Sequence, residues 1–258
     1  MWKDYSRSYI KNNRASGISI MAAVLVATMF LSCVCSIAYN FWAYDVEQIM
    51  LEEGGWQGRI VCETLSSDDL SMVCQFANVE KAVADEELSN EEGTVVDVYF
   101  KNARTIYRDM PIIAAQLGLN KDSIQYNSLL LSRYFIHDPA DETPPMLLTL
   151  YAVILIIVAV SLILIIRGSF ELSMNARIHQ FGIFSSIGAT PRQIRTCLLQ
   201  EAMVLSMLPM LIGSMSGILI SFGVIKAVNF FASDVSGRHE AVFQYHMSIF
   251  AATILFHF

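Results

Sequence analysis

Apolar positions fall in blocks along the chain. From Gly17 to Phe41 no residue is charged, and the only side chains more polar than Tyr are Ser, Thr, Cys and Asn40. About 20 apolar residues in a helix cross the roughly 30 Å hydrocarbon core of a bilayer, so this run predicts a transmembrane helix over 17–41. A second block, Met146 to Ile166, is almost pure Leu, Ile, Val and Ala and predicts a span over 146–166. A third, Ala202 to Phe231, is broken only by Pro209, Lys226 and scattered Gly and Ser, which membrane helices tolerate when neighbours cover them. A fourth begins near Tyr245 and runs to Phe258, too few residues for a full span.

Between the first two blocks the period changes. Trp56 to Glu63 alternates like a strand, and Ser66 to Asp69 supplies capping residues for a helix through Phe76. Val79 to Glu87 reads as a strand, Ser89 to Gly93 as an acidic turn, and Thr94 to Lys101 as a strand returning across it. Asn102 to Leu117 has helical spacing, with Gly118 as its C-terminal stop, and Ile124 to Ile136 reads as extended. The order strand, helix, strand, strand, helix, strand predicts a split two-layer sandwich. The expected fold is therefore an α-helical integral membrane protein, three full spans plus a partial fourth, with a small α+β extracytoplasmic domain between the first two.

Composition agrees. The chain is 54% hydrophobic and 16% charged with mean hydropathy +0.47, against roughly 25% charged for a soluble domain. A formal charge of −7 excludes a nucleic-acid binder of the ordinary basic kind. The charges are unevenly placed. The tail 1–16 carries four Lys/Arg and one acid, 42–145 carries seven basic and nineteen acidic residues, and 167–201 carries four Arg and two acids. By the positive-inside rule the tail and 167–201 face the cytoplasm, and the acidic block 42–145 lies outside, with 232–244 as a second external loop and 245–258 as the start of a fourth helix. This predicts a multi-pass protein of the cell membrane with a cytoplasmic N-terminus. The first span is read as a retained anchor: its apolar run exceeds the usual signal-peptide core and no small-x-small cleavage site follows.

Candidate chemistry is sparse. His137 beside Asp138 reads as loop, because general acid–base work needs partners converging from separate elements. Asp85, Glu86, Glu87, Glu91 and Glu92 lack the ligand spacing of a calcium loop and read as a solvated hairpin. No catalytic or metal-ligating set emerges, so the chain is not expected to be an enzyme. Cys62 and Cys74 both fall in the external block, where a disulfide and two separate thiols are equally compatible with the sequence.

The segment 175–201 is the most informative. Ile178, Phe181, Ile183, Phe184 and Ile187 mark a helix with an apolar stripe, Gly188 ends it, and Thr190 with Pro191 opens another that is basic at Arg192 and Arg195. The run from Arg177-x-x-Gln180-Phe181-Gly182-Ile183 through Ile187-Gly188-Ala189-Thr190-Pro191-Arg192, then Leu198-Leu199-Gln200-Glu201-Ala202, resembles the inner loop of FtsX-like permeases, the membrane subunits of MacB-type ABC transporters. Gln180 stands where that family commonly has an acid. The resemblance implies a permease whose inner loop contacts a separate ABC ATPase subunit, with Phe181, Gly182, Gly188, Ala189, Thr190 and Arg192 as the coupling surface and Glu201 orienting the loop. It implies no cofactor on this chain, ATP being held by the partner, since no Gly-x-x-x-x-Gly-Lys-Ser/Thr loop is present. It also implies a dimer, or pairing with a second permease half. Gly213 and Gly217 permit close helix approach within the bundle or at a dimer seam. Family members have a full fourth helix and some a second set of four spans, so a fragment, a shortened gene or the first half of a larger permease is expected. The substrate is left open among peptide, lipid or lipoprotein, and small drug. The alternative reading is a membrane-anchored sensor or accessory protein with an external ligand-binding domain.

Overall fold

The computed structural model describes residues 14–63, 66–90, 93–140, 146–175, 178–186, 188–233, 239–248 and 250–251. Most of the basic tail, the acids Glu91 and Glu92, Arg177, Ile187 and the end of the expected fourth helix lie outside these. The chain divides into two compact units, Met1–Phe41 with Tyr151–Phe258, and Trp42–Leu150.

Helix α1 (Arg14–Glu52) contributes to both, continuing eleven residues past the uncharged run. It continues because Ala43, Val46 and Ile49 keep helical spacing and are buried, Val46 and Ile49 against Leu130 with Trp42 and Tyr134 alongside.

The unit 42–150 is the split sandwich. After α1 come β1 (Gly58–Cys62), α2 (Ser67–Gln75), β2 (Val79–Asn90), β3 (Gly93–Phe100), α3 (Ile106–Gln116), β4 (Ile124–Tyr126) and α4 (Ser128–Arg133). The sheet order is β2-β3-β1-β4 and every neighbour pair is antiparallel, with Ile60 opposite Val96 and Ala82 opposite Val98. Helix α2 starts where expected: Ser66 and Asp69 form a reciprocal capping box, a device worth about 1 kcal/mol. The core is Ile60, Val96, Val98 and Phe100 from one sheet face against Val73, Ile106, Met110 and Ile113 from the helices. Full burial of each such side chain contributes about 1.5–3 kcal/mol. Helix α3 sits so close to β1 that a Cβ on Gly58 would lie 2.8 Å from Met110 Sδ.

The expected extended segment 124–136 is different in the structure. Only Ile124–Tyr126 is a strand, and Asn127 then caps α4 by accepting from Leu130 N. The helix ends in a Schellman motif, Ile136 N donating to Leu131 O and Phe135 N to Ser132 O, with Phe135 at φ 61°. A bulky residue in that left-handed position hides the stop signal a glycine would have given.

The other unit is built from α1, α5 (Met146–Asn175), α6 (Ile178–Ser186) and α7 (Pro191–Phe231). Among the described residues, three helices are long and apolar enough to cross a membrane: Gly17–Glu52, Ala152–Leu172 and Pro191–Phe231. Every fourth residue of α1 from Ile20 to Asn40 is buried, as is every fourth residue of α7 from Glu201 to Ser221. These i±4 rows form the seam between the two helices. Ile20 clusters with Leu205, and Ser32 Oγ donates to Ser214 O at 2.9 Å, so α1 and α7 run in the same direction. Phe170 of α5 joins the Ile20 cluster and Val158 joins that of Leu31, so α5 runs oppositely.

Gly213 and Gly217 face α1. A Cβ at 213 would stand 2.6 Å from Leu25 O, and one at 217 would stand 2.9 Å from Cys33 N. Beyond α7, two asparagines pin the segment 239–246. Asn40 Nδ2 donates to Gln244 O (3.0 Å) and its Oδ1 accepts from Gln244 N (2.7 Å). Asn229 does the same for Ala241, at 2.8 and 3.1 Å. Each side-chain amide stands in for a backbone pair, satisfying groups that would be costly to bury alone.

Candidate functional site

Six of the seven expected coupling residues, all but Glu201, lie on α6 or at the elbow between α6 and α7. Gly188 ends α6 with its N–H on Ser185 O (3.1 Å) and its φ at +93°, a conformation open to glycine and strained for other residues. A Cβ there would meet nothing within 4 Å, so the requirement for glycine is conformational rather than steric. Thr190 then caps α7: its Oγ1 accepts from Gln193 N (3.4 Å) while Gln193 Oε1 accepts from Thr190 N (2.9 Å), with Pro191 in the first turn.

Gly188, Thr190 and Arg192 are exposed, Ala189 is half-buried, and Gly182 and Phe181 sit on α6, exposed and half-buried respectively. Ile178 and Ile183 also stand open on α6. The elbow thus presents backbone turn, apolar side chains and one guanidinium together. That mixture suits docking to another protein more than catalysis.

Two features differ from the sequence-based expectation. The helix that Thr190 opens does not stop before the third apolar block; Pro191–Phe231 is one helix of 41 residues. Glu201, which directly precedes the apolar block 202–231 and would stand at the entrance of a helix starting there, therefore lies in the third turn, where the helix dipole no longer acts. It is 4% exposed and sits on the row facing α1, about 16 Å along the helix from Thr190 at 1.5 Å per residue. It is not part of the elbow surface.

Sequence reasoning also missed a shallow cavity of about 210 Å³ along the first turns of α7, lined by Arg192, Gln193, Thr196, Cys197 and Gln200. The signal was available, since positions 192/193, 196/197 and 200 share one helical face.

The sheet-containing unit offers less. Cys62 and Cys74 are free thiols in the structure, Cys62 Sγ 3.7 Å from Thr94 O and Cys74 Sγ 3.9 Å from Ala82 O. Burial, then the nearby Asp69 charge, push the Cys62 thiol above its ordinary range. Asp138 Oδ1 accepts from Ala140 N at 2.8 Å, which makes it a turn former rather than a partner for His137. Asp85, expected in a solvated hairpin, is partly covered and approaches Arg59 at 3.5 Å. Arg59 pairs primarily with Asp97 on the sheet face opposite Ile60 and Val96 at 2.6 Å, with side chains 13% and 12% exposed, and its guanidinium lies 4.2 Å from the Trp56 ring centroid. Asp109 is buried among hydrogen-bond donors. Burial works to raise its carboxyl, but Thr105, Asn78 and Arg108 outweigh it and hold it below the usual range. Both clusters are internally satisfied, so they read as structural.

Residues 152–258 match the family model for the FtsX-like permease C-terminal domain. The match contains most of α5 and all of α6, the elbow and α7. No curated protein matches the chain.

Proposed function

From the FtsX-like permease domain carried by residues 152–258, we propose that this chain is the membrane subunit of an ABC transporter, and that the α6–α7 elbow is where its ATPase docks. That family supplies membrane components of transporters rather than enzymes, and works with an ABC ATPase partner. The carrying observation is that the family match encloses an exposed elbow whose turn is fixed by Gly188 and by the Thr190 cap. Phe181, Gly182, Gly188, Ala189, Thr190 and Arg192 form the docking surface.

Nucleotide can bias the permease only by favouring one of two packed states through differential contacts. A push at Thr190 enters a single helix about 60 Å long, at 1.5 Å per residue. The buried i±4 seam passes that push to α1, whose last turns belong to the unit 42–150. The charge asymmetry supports a cytoplasmic elbow and N-terminus and an external 42–145.

The test is co-purification of the tagged full chain from its native membranes. An ATP-binding cassette protein is expected to follow it, and Gly188→Ala or Arg192→Glu to lower the associated ATP hydrolysis at least fivefold with the permease still folded. No ATPase in the purified material, or hydrolysis indifferent to both changes, overturns the reading.

A further inference from the structure

We propose that Phe135 is a lipid anchor, its ring entering the boundary between headgroups and acyl chains close to the end of the uncharged run of α1. The inference rests on reading α1 as a span and is independent of any ATPase partner.

The first observation is the backbone. Phe135 occupies the left-handed position of the Schellman motif that ends α4, where glycine is the default and a bulky L-residue is uphill. The second is exposure: the residue is 57% exposed, and every other described Phe, Tyr and Trp from 42 to 150 is buried or half-buried. A single exposed apolar residue needs no explanation by itself. One held in a disfavoured conformation while more than half of its surface stays open does.

The third observation places the turn that carries the ring. Two residues before it, Arg133 pairs with Asp45, and Arg133 O accepts from Trp42 Nε1 at 2.8 Å. Tyr134 meets the Trp42 ring edge-on at 6.4 Å between centroids. Trp42 directly follows Phe41, the last residue of the uncharged run and itself 57% exposed. The turn carrying Phe135 is therefore bound to the residue at which the hydrocarbon-compatible stretch of α1 stops. Trp and Tyr gather at such boundaries because their rings are apolar and their tips polar. An apolar ring projecting from that turn has the boundary between headgroups and acyl chains as its nearest apolar medium.

The experiment uses the native full chain in vesicles containing a phosphatidylcholine with a diazirine on its upper acyl chain, photolysed and mapped by mass spectrometry. Carbene adducts are expected on the peptide bearing Phe135 at a yield within about threefold of that on Phe41. Adducts on Phe30 and Phe41 with none on Phe135 overturn the inference. Absence from all three overturns the spanning of α1 and the inference with it. Phe135→Gly relieves the backbone conformation, so the variant is expected to unfold no earlier than the native chain while losing at least fivefold of the adducts on that peptide. If Phe135→Gly instead destabilises the unit, or keeps its adducts, the ring is a packing residue and the proposal fails.

Discussion

Replacing Gly213 by alanine sets two opposed effects against each other in the middle of α7. In an unobstructed helix, Gly→Ala stabilises by about 0.5–1 kcal/mol because glycine loses more backbone freedom on folding. At 213 the new methyl would stand 2.6 Å from Leu25 O and 3.2 Å from Met29 N, both backbone atoms of α1, and would displace the Thr28 hydroxyl. An ordinary carbon–oxygen contact is roughly 3.3 Å, so the seam must open by about 0.7 Å. The adjacent Ser32–Ser214 hydrogen bond would stretch from 2.9 Å to about 3.6 Å, past useful range. Overpacking of this kind costs about 1–3 kcal/mol, and an interhelical hydrogen bond in a membrane protein contributes about 0.6 kcal/mol. After the alanine gain, the net is about 1–3 kcal/mol of destabilisation, roughly a 5- to 150-fold loss in the folded-to-unfolded ratio. Gly223, on the same helix with nothing within 4 Å of its would-be Cβ, is the control. Unfolding of both variants in mixed micelles with increasing sodium dodecyl sulfate should move their midpoints in opposite directions. If Gly213→Ala is stabilised as much as Gly223→Ala, the close seam is wrong.

Other consequences are equally direct. Arg59→Met strands the Asp97 carboxylate on a mostly covered sheet face and should cost about 2–4 kcal/mol, with Asp97→Asn in the same chain recovering most of it; Trp56 fluorescence, which reports the stacked guanidinium, follows the transition. Because the Asp109 carboxyl is held below its ordinary range, its contribution to stability is present above pH about 4 and is lost as pH falls through the depressed value. The unfolding midpoint of the unit 42–150 should fall with acidification over that window, and less steeply in Asp109→Asn. Cys74, exposed, should be alkylated in the native chain without reductant, whereas Cys62, buried and with its thiol pushed up, should react only on unfolding; protection of Cys74 until reduction would instead indicate a bridge.

Features whose cause is local were readable from the sequence. Ser66 and Asp69 announce their capping box by spacing, the strand order follows from the change of period, and Thr190-Pro191 marks the start of α7. What escaped was set at longer range or by contrary signals. The charged and polar residues after Phe41 conceal that Ala43, Val46 and Ile49 keep α1 helical as far as Glu52, because the cover over Val46 and Ile49 is supplied by α4 more than eighty residues later. Helix α4 was hidden in turn by Phe135 standing where a glycine was expected. Glu201 looked like a helix-start carboxylate only while the helix was thought to begin at Ala202. The pinning of 239–246 by Asn40 and Asn229 leaves no trace in the sequence, since each asparagine pairs with backbone, whose identity carries no signal. At the elbow, chemistry and order were legible, and the exposure of Gly188, Thr190 and Arg192 together was not.

The central claim, that the elbow meets an ATPase, is tested most directly by placing a photo-crosslinking amino acid at Thr190 in the full chain in its native membrane, with the same probe at exposed Val83 as reference. The account predicts an adduct from position 190 whose partner contains a phosphate-binding loop, and none from position 83. An ATPase adduct missing from position 190, or formed equally from position 83, would contradict it.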